Sequence, residues 1–176
     1  QPIKKIGELI KKYKGEDSYP LFHTDAVQAF QYLPCSIKKL GVDLLTLSAH
    51  KIYGPKGIGL LYVRDKDLLT PIITGGGQED GLRSGTENVP YIIGFAKAIE
   101  LVEKSREKEV KRIGDLREYF WQELKKIISD IEINGSVKYR LPNNLNIYFP
   151  GRPASDLCIE LDIWGLAVSS GTACSA

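Results

Sequence analysis

Apolar positions along this chain change their spacing several times, and each change marks an element. Ile3, Ile6, Leu9 and Ile10 recur every three or four residues, which predicts a helix over 2–13 with Pro2 in an early position. A charged loop with a glycine follows. Residues 20–24 form a short apolar run, predicting a buried strand that delivers His23-Thr24-Asp25 at its carboxyl end. Residues 26–32 read as a short helix or turn, stopped by Pro34. A second apolar run at 42–47 predicts another strand, ending in Ser48-Ala49-His50-Lys51. A tight turn at 53–57 leads to a third strand at 58–63.

The stretch 75–88 is too rich in glycine for a regular element and too polar for a core. Loops of that length are usually functional or mobile. From 89 to 129 the helical period returns, through Ile93, Ala96, Ile99 and Val102, then Val110, Ile113, Leu116, Phe120 and Leu124. Residues 104–111 are almost wholly charged and read as a bend or a boundary. Short strands are predicted at 131–133, 144–149 and 166–169, with a helix at 154–161. Strand and helix alternate up to about residue 95, which predicts an α/β architecture. The later pieces predict a smaller α+β part, and the helix at 89–129 would join the two. No internal repeat is visible.

Composition narrows the classes. Over 176 residues, 43% hydrophobic and 26% charged is ordinary globular usage, with room for one core or two small ones. Apolar residues recur throughout, which excludes disorder as the dominant state. Lys and Arg number 24 and Asp and Glu 22, a net +2 that is too even to imply nucleic acid or a membrane surface. No apolar run approaches the roughly 20 residues that span a bilayer, and the first residues do not read as a secretory leader. Cys35, Cys158 and Cys174 cannot all pair and match no zinc spacing, so a reducing, cytoplasmic setting is expected. The chain has no methionine and stops two residues after Cys174, which suggests an internal segment of something longer.

Three clusters carry candidate chemistry. Asp25 and Gln28, with His23, end one predicted strand; Lys51 ends the next. If those strands are parallel neighbours, both groups project from the carboxyl edge, where open α/β sheets place ligands. An aspartate there can pair with a cationic ring nitrogen, and a lysine can form a Schiff base. Pyridoxal phosphate chemistry needs both, and Ser48 and His50 could hold the phosphate. Read alone, Lys51 could equally be solvated and Asp25 a helix cap. Gly75-Gly76-Gly77 and Arg83-Ser84-Gly85-Thr86 could offer amides, a hydroxyl and a guanidinium to an anion, or form a plain surface loop. Neither this run nor 54–57 is a Walker A loop. Ser169-Ser170-Gly171-Thr172-Ala173-Cys174 places a thiol on a small-residue segment, where it is a nucleophile if deprotonated and otherwise an inert surface thiol. Cys35 and Cys158 sit in apolar contexts and read as buried. His23 and His50 lack metal spacing, and the aromatics lack the basic interleaving of a nucleic-acid platform.

Taken together and in this order, four motifs resemble the cysteine desulfurases of the aminotransferase class V superfamily. They are His23-Thr24-Asp25-Ala26-Val27-Gln28, Ser48-Ala49-His50-Lys51-Ile52-Tyr53-Gly54-Pro55-Lys56-Gly57, Arg83-Ser84-Gly85-Thr86 and the segment ending in Cys174. That last segment is similar to the NifS/IscS branch rather than the SufS branch. The resemblance covers essentially the whole chain.

It implies a fold type I, α/β large domain, in part, followed by part of a smaller α+β domain. Residues 1–95 would be the carboxyl-terminal portion of the large pyridoxal phosphate domain, 96–129 a connecting helix, and 130–176 the partial small domain. Lys51 would bond covalently to pyridoxal 5'-phosphate. Asp25 would pair with the pyridine nitrogen, Gln28 with the phenolic oxygen, and Ser48 and His50 with the phosphate. Thr86 would reach the phosphate in the partner subunit of a homodimer, with Arg83 shaping the substrate region. Cys174 would take sulfur from L-cysteine as a persulfide, release L-alanine and pass the sulfur to an iron–sulfur scaffold or a thiolation protein.

The family's amino-terminal part should supply a ring-stacking histidine, an asparagine and further phosphate ligands, and its carboxyl-terminal part an arginine for the substrate carboxylate. All of these lie outside this sequence, so this segment alone is expected to be inactive. Two alternatives stay open: a class V relative such as a selenocysteine lyase, and a truncated, non-catalytic homologue acting as a structural or sulfur-scaffold partner.

Overall fold

The period of Ile3, Ile6 and Ile10 is realised as α1 (Ile3–Tyr13) in the computed structural model, which describes residues 1–15 and 19–171. Those three isoleucines pack on the core while Lys4, Lys5, Lys11 and Lys12 stay in water. Gly7 is buried because a short helix missed by the sequence pattern, α2 (Ile37–Leu40), crosses closely there. A Cβ on Gly7 would overlap the Leu40 carbonyl. At four residues, α2 is too short to show a period, and Gly41, in the left-handed region at φ 69°, ends it.

Three strands form the sheet: β1 (His23–Asp25), β2 (Leu44–Ser48) and β3 (Gly59–Val63), in the order β1-β2-β3. β1 and β2 run parallel, with His23 opposite Leu44 and Asp25 opposite Thr46; β2 and β3 run antiparallel, with Ser48 opposite Gly59. β2 is central and mostly buried, so it reads as a nearly continuous apolar run. Residues 26–32 are a turn rather than a helix. Phe22, Phe30, Leu45, Leu47, Ala49, Ile52, Phe95 and Val102 fill one core. Each large side chain there contributes roughly 1.5–3 kcal/mol by leaving water.

Asp43, 2% exposed, sits at the start of β2 and fastens three segments. Its carboxylate accepts from Lys14 Nζ at 2.5 Å and from the Phe22 amide at 2.8 Å, and pairs with Arg64 Nε at 3.1 Å. Burial alone would raise its pKa. The Lys14 hydrogen bond, the Phe22 amide and the charges of Lys14 and Arg64 outweigh that, so the carboxyl titrates below its ordinary value.

α3 (Val89–Ile127) runs for 39 residues without a break. The charged stretch 104–111 does not bend it. Pairs three or four residues apart, Lys104–Glu100 and Lys111–Asp115 among them, keep that stretch helical in water. A boundary nevertheless falls within it: residues 1–110 form one compact unit and those from Lys111 onward a second.

In the second unit, β4 (Glu132–Ile133) pairs antiparallel with β5 (Ile147–Tyr148), and α4 (Ala154–Ile163) follows. Lys125 Nζ donates to the carbonyls of Ser129 and Ile131, closing the end of α3. Arg140 donates to the carbonyls of Asn134 and Ser136, holding the hairpin loop. The strand expected at 166–169 is not formed; those residues pair with no strand among the described residues and are exposed.

Candidate active site

The parallel pairing of β1 and β2 brings the first cluster together. Their carboxyl ends share one edge of the sheet, with Asp25 the last residue of β1. β2 continues past Thr46 to Ser48 and passes directly into a 3-10 turn, Ala49–Ile52, that carries His50 and Lys51. The sequence dictates that turn's orientation. Ala49 (0% exposed) and Ile52 (3%) are driven into the core, which leaves His50 and Lys51 pointing to solvent. Gly54 closes the turn by donating from its amide to the Ala49 carbonyl at 2.9 Å. Its own α-carbon lies so near Ala49 and Ala98 of α3 that a methyl would crowd both.

On the β1 side, His23 and Asp25 face outward while Thr24 is buried. Asp25 Oδ1 accepts from the Val27 amide at 2.9 Å, fixing the carboxylate. Gln28 is exposed in the turn that follows. His23 Nε2 and Thr46 Oγ1 share a hydrogen bond at 2.7 Å, and Ser48 Oγ and His50 Nδ1 share one at 2.9 Å. Thr46 was not singled out from sequence, although its signal is there. Strand alternation puts Leu44, Thr46 and Ser48 on one face, and the register puts Asp25 opposite Thr46.

Lys51 forms no hydrogen bond or ion pair among the described residues, so its amine is open to a partner. The edge therefore offers an open amine, a carboxylate with one oxygen committed, and a hydroxyl–imidazole pair. That donor set fits pyridoxal phosphate, with an amine for its carbonyl carbon, an anion for its ring nitrogen and donors for its phosphate.

The loop at 75–88 is more ordered than a plain surface loop. Ser84 is buried, and its amide donates to the Ile73 carbonyl at 3.1 Å. The Gly85 amide donates to Gln78 Oε1 at 3.1 Å, and Arg83 Nη1 donates to the Ser84 carbonyl at 2.9 Å. Arg83 is thus tied to its own loop, and Thr86 is exposed just ahead of α3. Cys35 and Cys158 are half-buried rather than fully buried. Burial pushes the Cys35 thiol up, and the Arg106 charge offsets only part of that, so Cys35 stays protonated near neutral pH. Cys174 lies outside the described residues, as does Thr172 before it.

The sequence model of the family described as aminotransferase class-V matches residues 1–176. The chain belongs to the class-V aminotransferase family. Class V is a pyridoxal phosphate family of fold type I, in agreement with the sheet edge above and with the expected fold. The cysteine desulfurase IscS of Dictyoglomus turgidum is 47% identical to this class-V chain over 176 residues, covering all of it and 43% of that relative. A solved NifS-like protein superposes with a TM-score of 0.88 at 38% identity, over 97% of this chain and 46% of its own. A solved structure of SspA in complex with cysteine superposes with a TM-score of 0.70 at 35% identity, over 98% of this chain and 46% of its own. The class-V chain thus spans less than half the length of the relatives it matches.

Proposed function

We propose that this chain is the lysine- and cysteine-bearing segment of a cysteine desulfurase that converts L-cysteine to L-alanine and leaves the sulfur on Cys174 as a persulfide. The observation that carries the reading is the shared edge of β1 and β2, which gathers Asp25, Ser48, His50 and Lys51 in a class-V chain. Relatives named as cysteine desulfurases, and one solved in complex with cysteine, support the substrate.

Pyridoxal phosphate, when bound, supplies an electron-withdrawing ring that accepts the electron pair of a bond broken at the substrate's α-carbon. The chain's own groups do the rest. Lys51 Nζ anchors the cofactor covalently and moves a proton at the substrate's α-carbon. The Asp25 oxygen not used by Val27 holds the pyridine N–H, and the Val27 amide fixes that carboxylate in orientation. Gln28 donates to the phenolic oxygen. Ser48 and His50, already hydrogen-bonded to each other, hold the phosphate, and Thr86 adds a hydroxyl to the phosphate in a partner subunit. The Cys174 thiolate attacks the substrate sulfur; the Sγ–S bond forms as the carbon–sulfur bond breaks. The sum is L-cysteine plus a thiol giving L-alanine plus a persulfide, with no outside oxidant.

The same reading makes residues 1–95 part of the large domain, 96–129 its connecting helix and 130–176 part of the small domain, in a cytoplasmic homodimer. The persulfide passes to an iron–sulfur scaffold or a thiolation protein. No helix among the described residues is long and apolar enough to cross a membrane. The test uses the full-length protein with L-cysteine. Stoichiometric L-alanine, with one sulfur atom added to Cys174 by mass spectrometry, is expected. Cofactor-loaded protein that yields neither would end the proposal.

A further inference from the structure

One peptide group in the 75–88 loop is held from both sides. It joins Ser84 to Gly85. Its N–H donates to Gln78 Oε1 at 3.1 Å, and its carbonyl accepts from Arg83 Nη1 at 2.9 Å. Two glycines make room for the side chains that grip it. A Cβ on Gly85 would stand 2.7 Å from Arg83 Nη1, and one on Gly76 would stand 2.9 Å from both Nε2 and Oε1 of Gln78.

The grip falls where the chain is least fixed by its own sequence. Gly85 has φ +122°, one of several conformations open to a glycine and closed to most other residues. Thr86 is the next residue, and regular helix begins only at Val89. Ser84 is buried, and its amide donates to the Ile73 carbonyl at 3.1 Å, which anchors the chain on the near side of the peptide. Beyond it, the direction in which Thr86 leaves Gly85 depends on how that peptide plane is turned. Gln78 and Arg83 set the plane together, one on each side. We infer that Gln78 is a positioning residue for Thr86. By holding the Gly85 N–H, it aims the hydroxyl that the proposed function assigns to the cofactor phosphate in a partner subunit, and in this it rests on that reading. Gln78 itself touches no cofactor in this account. Its effect is therefore confined to the phosphate end.

The test titrates the cofactor-free, full-length protein with pyridoxal phosphate and, separately, with pyridoxal, which lacks the phosphate. Gln78→Met removes the acceptor at similar side-chain length. Gly76→Ala keeps Gln78 but pushes its amide off Gly85, because the crowded atoms end a flexible side chain and the Gly76 backbone admits alanine. Each variant should weaken pyridoxal phosphate binding about three- to tenfold, the worth of one hydrogen bond, and leave pyridoxal binding within about twofold of wild type. Thr86→Ala should do the same, and adding Gln78→Met to it should cost nothing further. Equal weakening of both ligands would mark a merely structural role and overturn the inference. So would full additivity with Thr86→Ala, or wild-type binding of pyridoxal phosphate in either loop variant or in Thr86→Ala. These titrations read no turnover. A cofactor-loaded wild type that forms neither L-alanine nor persulfide ends the desulfurase reading without bearing on them.

Discussion

Gly54→Ala adds one methyl group at the point where the Lys51 turn meets α3. The backbone permits alanine there, so the effect is one of space alone. The new Cβ would stand 3.0 Å from both Ala49 Cβ and the Ala49 carbonyl oxygen, and 3.2 Å from Ala98 Cβ. None of these atoms ends a flexible side chain, and Ala49 is fully buried. The turn must shift against the helix by a few tenths of an ångström. Overpacking of this kind costs about 1–3 kcal/mol. The displaced element carries Lys51, so activity should fall as well; each ~1 kcal/mol added to the barrier slows the reaction about fivefold.

Urea unfolding of the full-length protein measures the first effect, and kcat for L-alanine formation the second. Two further variants isolate the cause. Ala98→Gly removes one crowding methyl and by itself costs about 1 kcal/mol in helix propensity. Combined with Gly54→Ala, it should recover at least ~0.5 kcal/mol relative to the sum of the single changes. Gly57→Ala is the contrast. Its Cβ has room, with Tyr91 Cε2 at 4.0 Å, but its φ of +82° disfavours any side chain, and Ala98→Gly should not rescue it. Wild-type stability and activity in Gly54→Ala, or strict additivity with Ala98→Gly, would refute the packing argument.

Asp43→Asn should destabilise the protein by about 3 kcal/mol at neutral pH, because it strands the part-buried Lys14 ammonium; Arg64 is more exposed and loses less. The Asp43 carboxyl titrates below its ordinary value when folded, so its contribution is full above about pH 4 and fades as pH falls through the folded pKa. Urea midpoints between neutral and acid pH should therefore fall more steeply for wild type than for Asp43→Asn, and parallel curves would count against the hub. Lys51→Ala should abolish the borohydride-reducible link between protein and cofactor along with L-alanine formation, and a retained link would locate the anchoring amine elsewhere. Cys174→Ser should keep that link while losing the protein-bound persulfide, as read by mass spectrometry after L-cysteine addition.

The sheet was legible wherever one residue period ran long enough to be seen. Strong apolar runs marked β2 and β3, and the isoleucine repeat marked α1. What the pattern missed was short or depended on distant partners. α2 is a single turn. Residues 166–169 have the composition of a strand, but no strand stands beside them among the described residues. The unbroken course of α3 through 104–111 depends on charge pairing three and four residues apart, which a block of charges conceals. At the site, the residue types at two strand ends suggested chemistry, and only the parallel pairing made them one site. Thr46 escaped notice because its bond to His23 crosses between strands. The packing of Gly54 escaped because Ala98 is far along the chain.

In the proposed chemistry, holding the cofactor and removing the sulfur use different groups. Asp25, Gln28, Ser48, His50, Lys51 and Thr86 all lie in the first compact unit, residues 1–110, whereas Cys174 lies outside the described residues. Holding the cofactor and moving a proton at the substrate's α-carbon then depend on groups of the first unit. Removing the sulfur needs the Cys174 thiol as well. Substitutions should sort accordingly. Changes that crowd the Lys51 turn, Gly54→Ala among them, should alter proton exchange at the α-carbon of alanine, a reaction that needs no thiol. Changes at Cys174 should leave that exchange intact and remove only persulfide formation. If Cys174→Ser slowed α-proton exchange as much as Gly54→Ala does, the thiol would be serving the first unit's chemistry, and this assignment of roles would have to be redrawn.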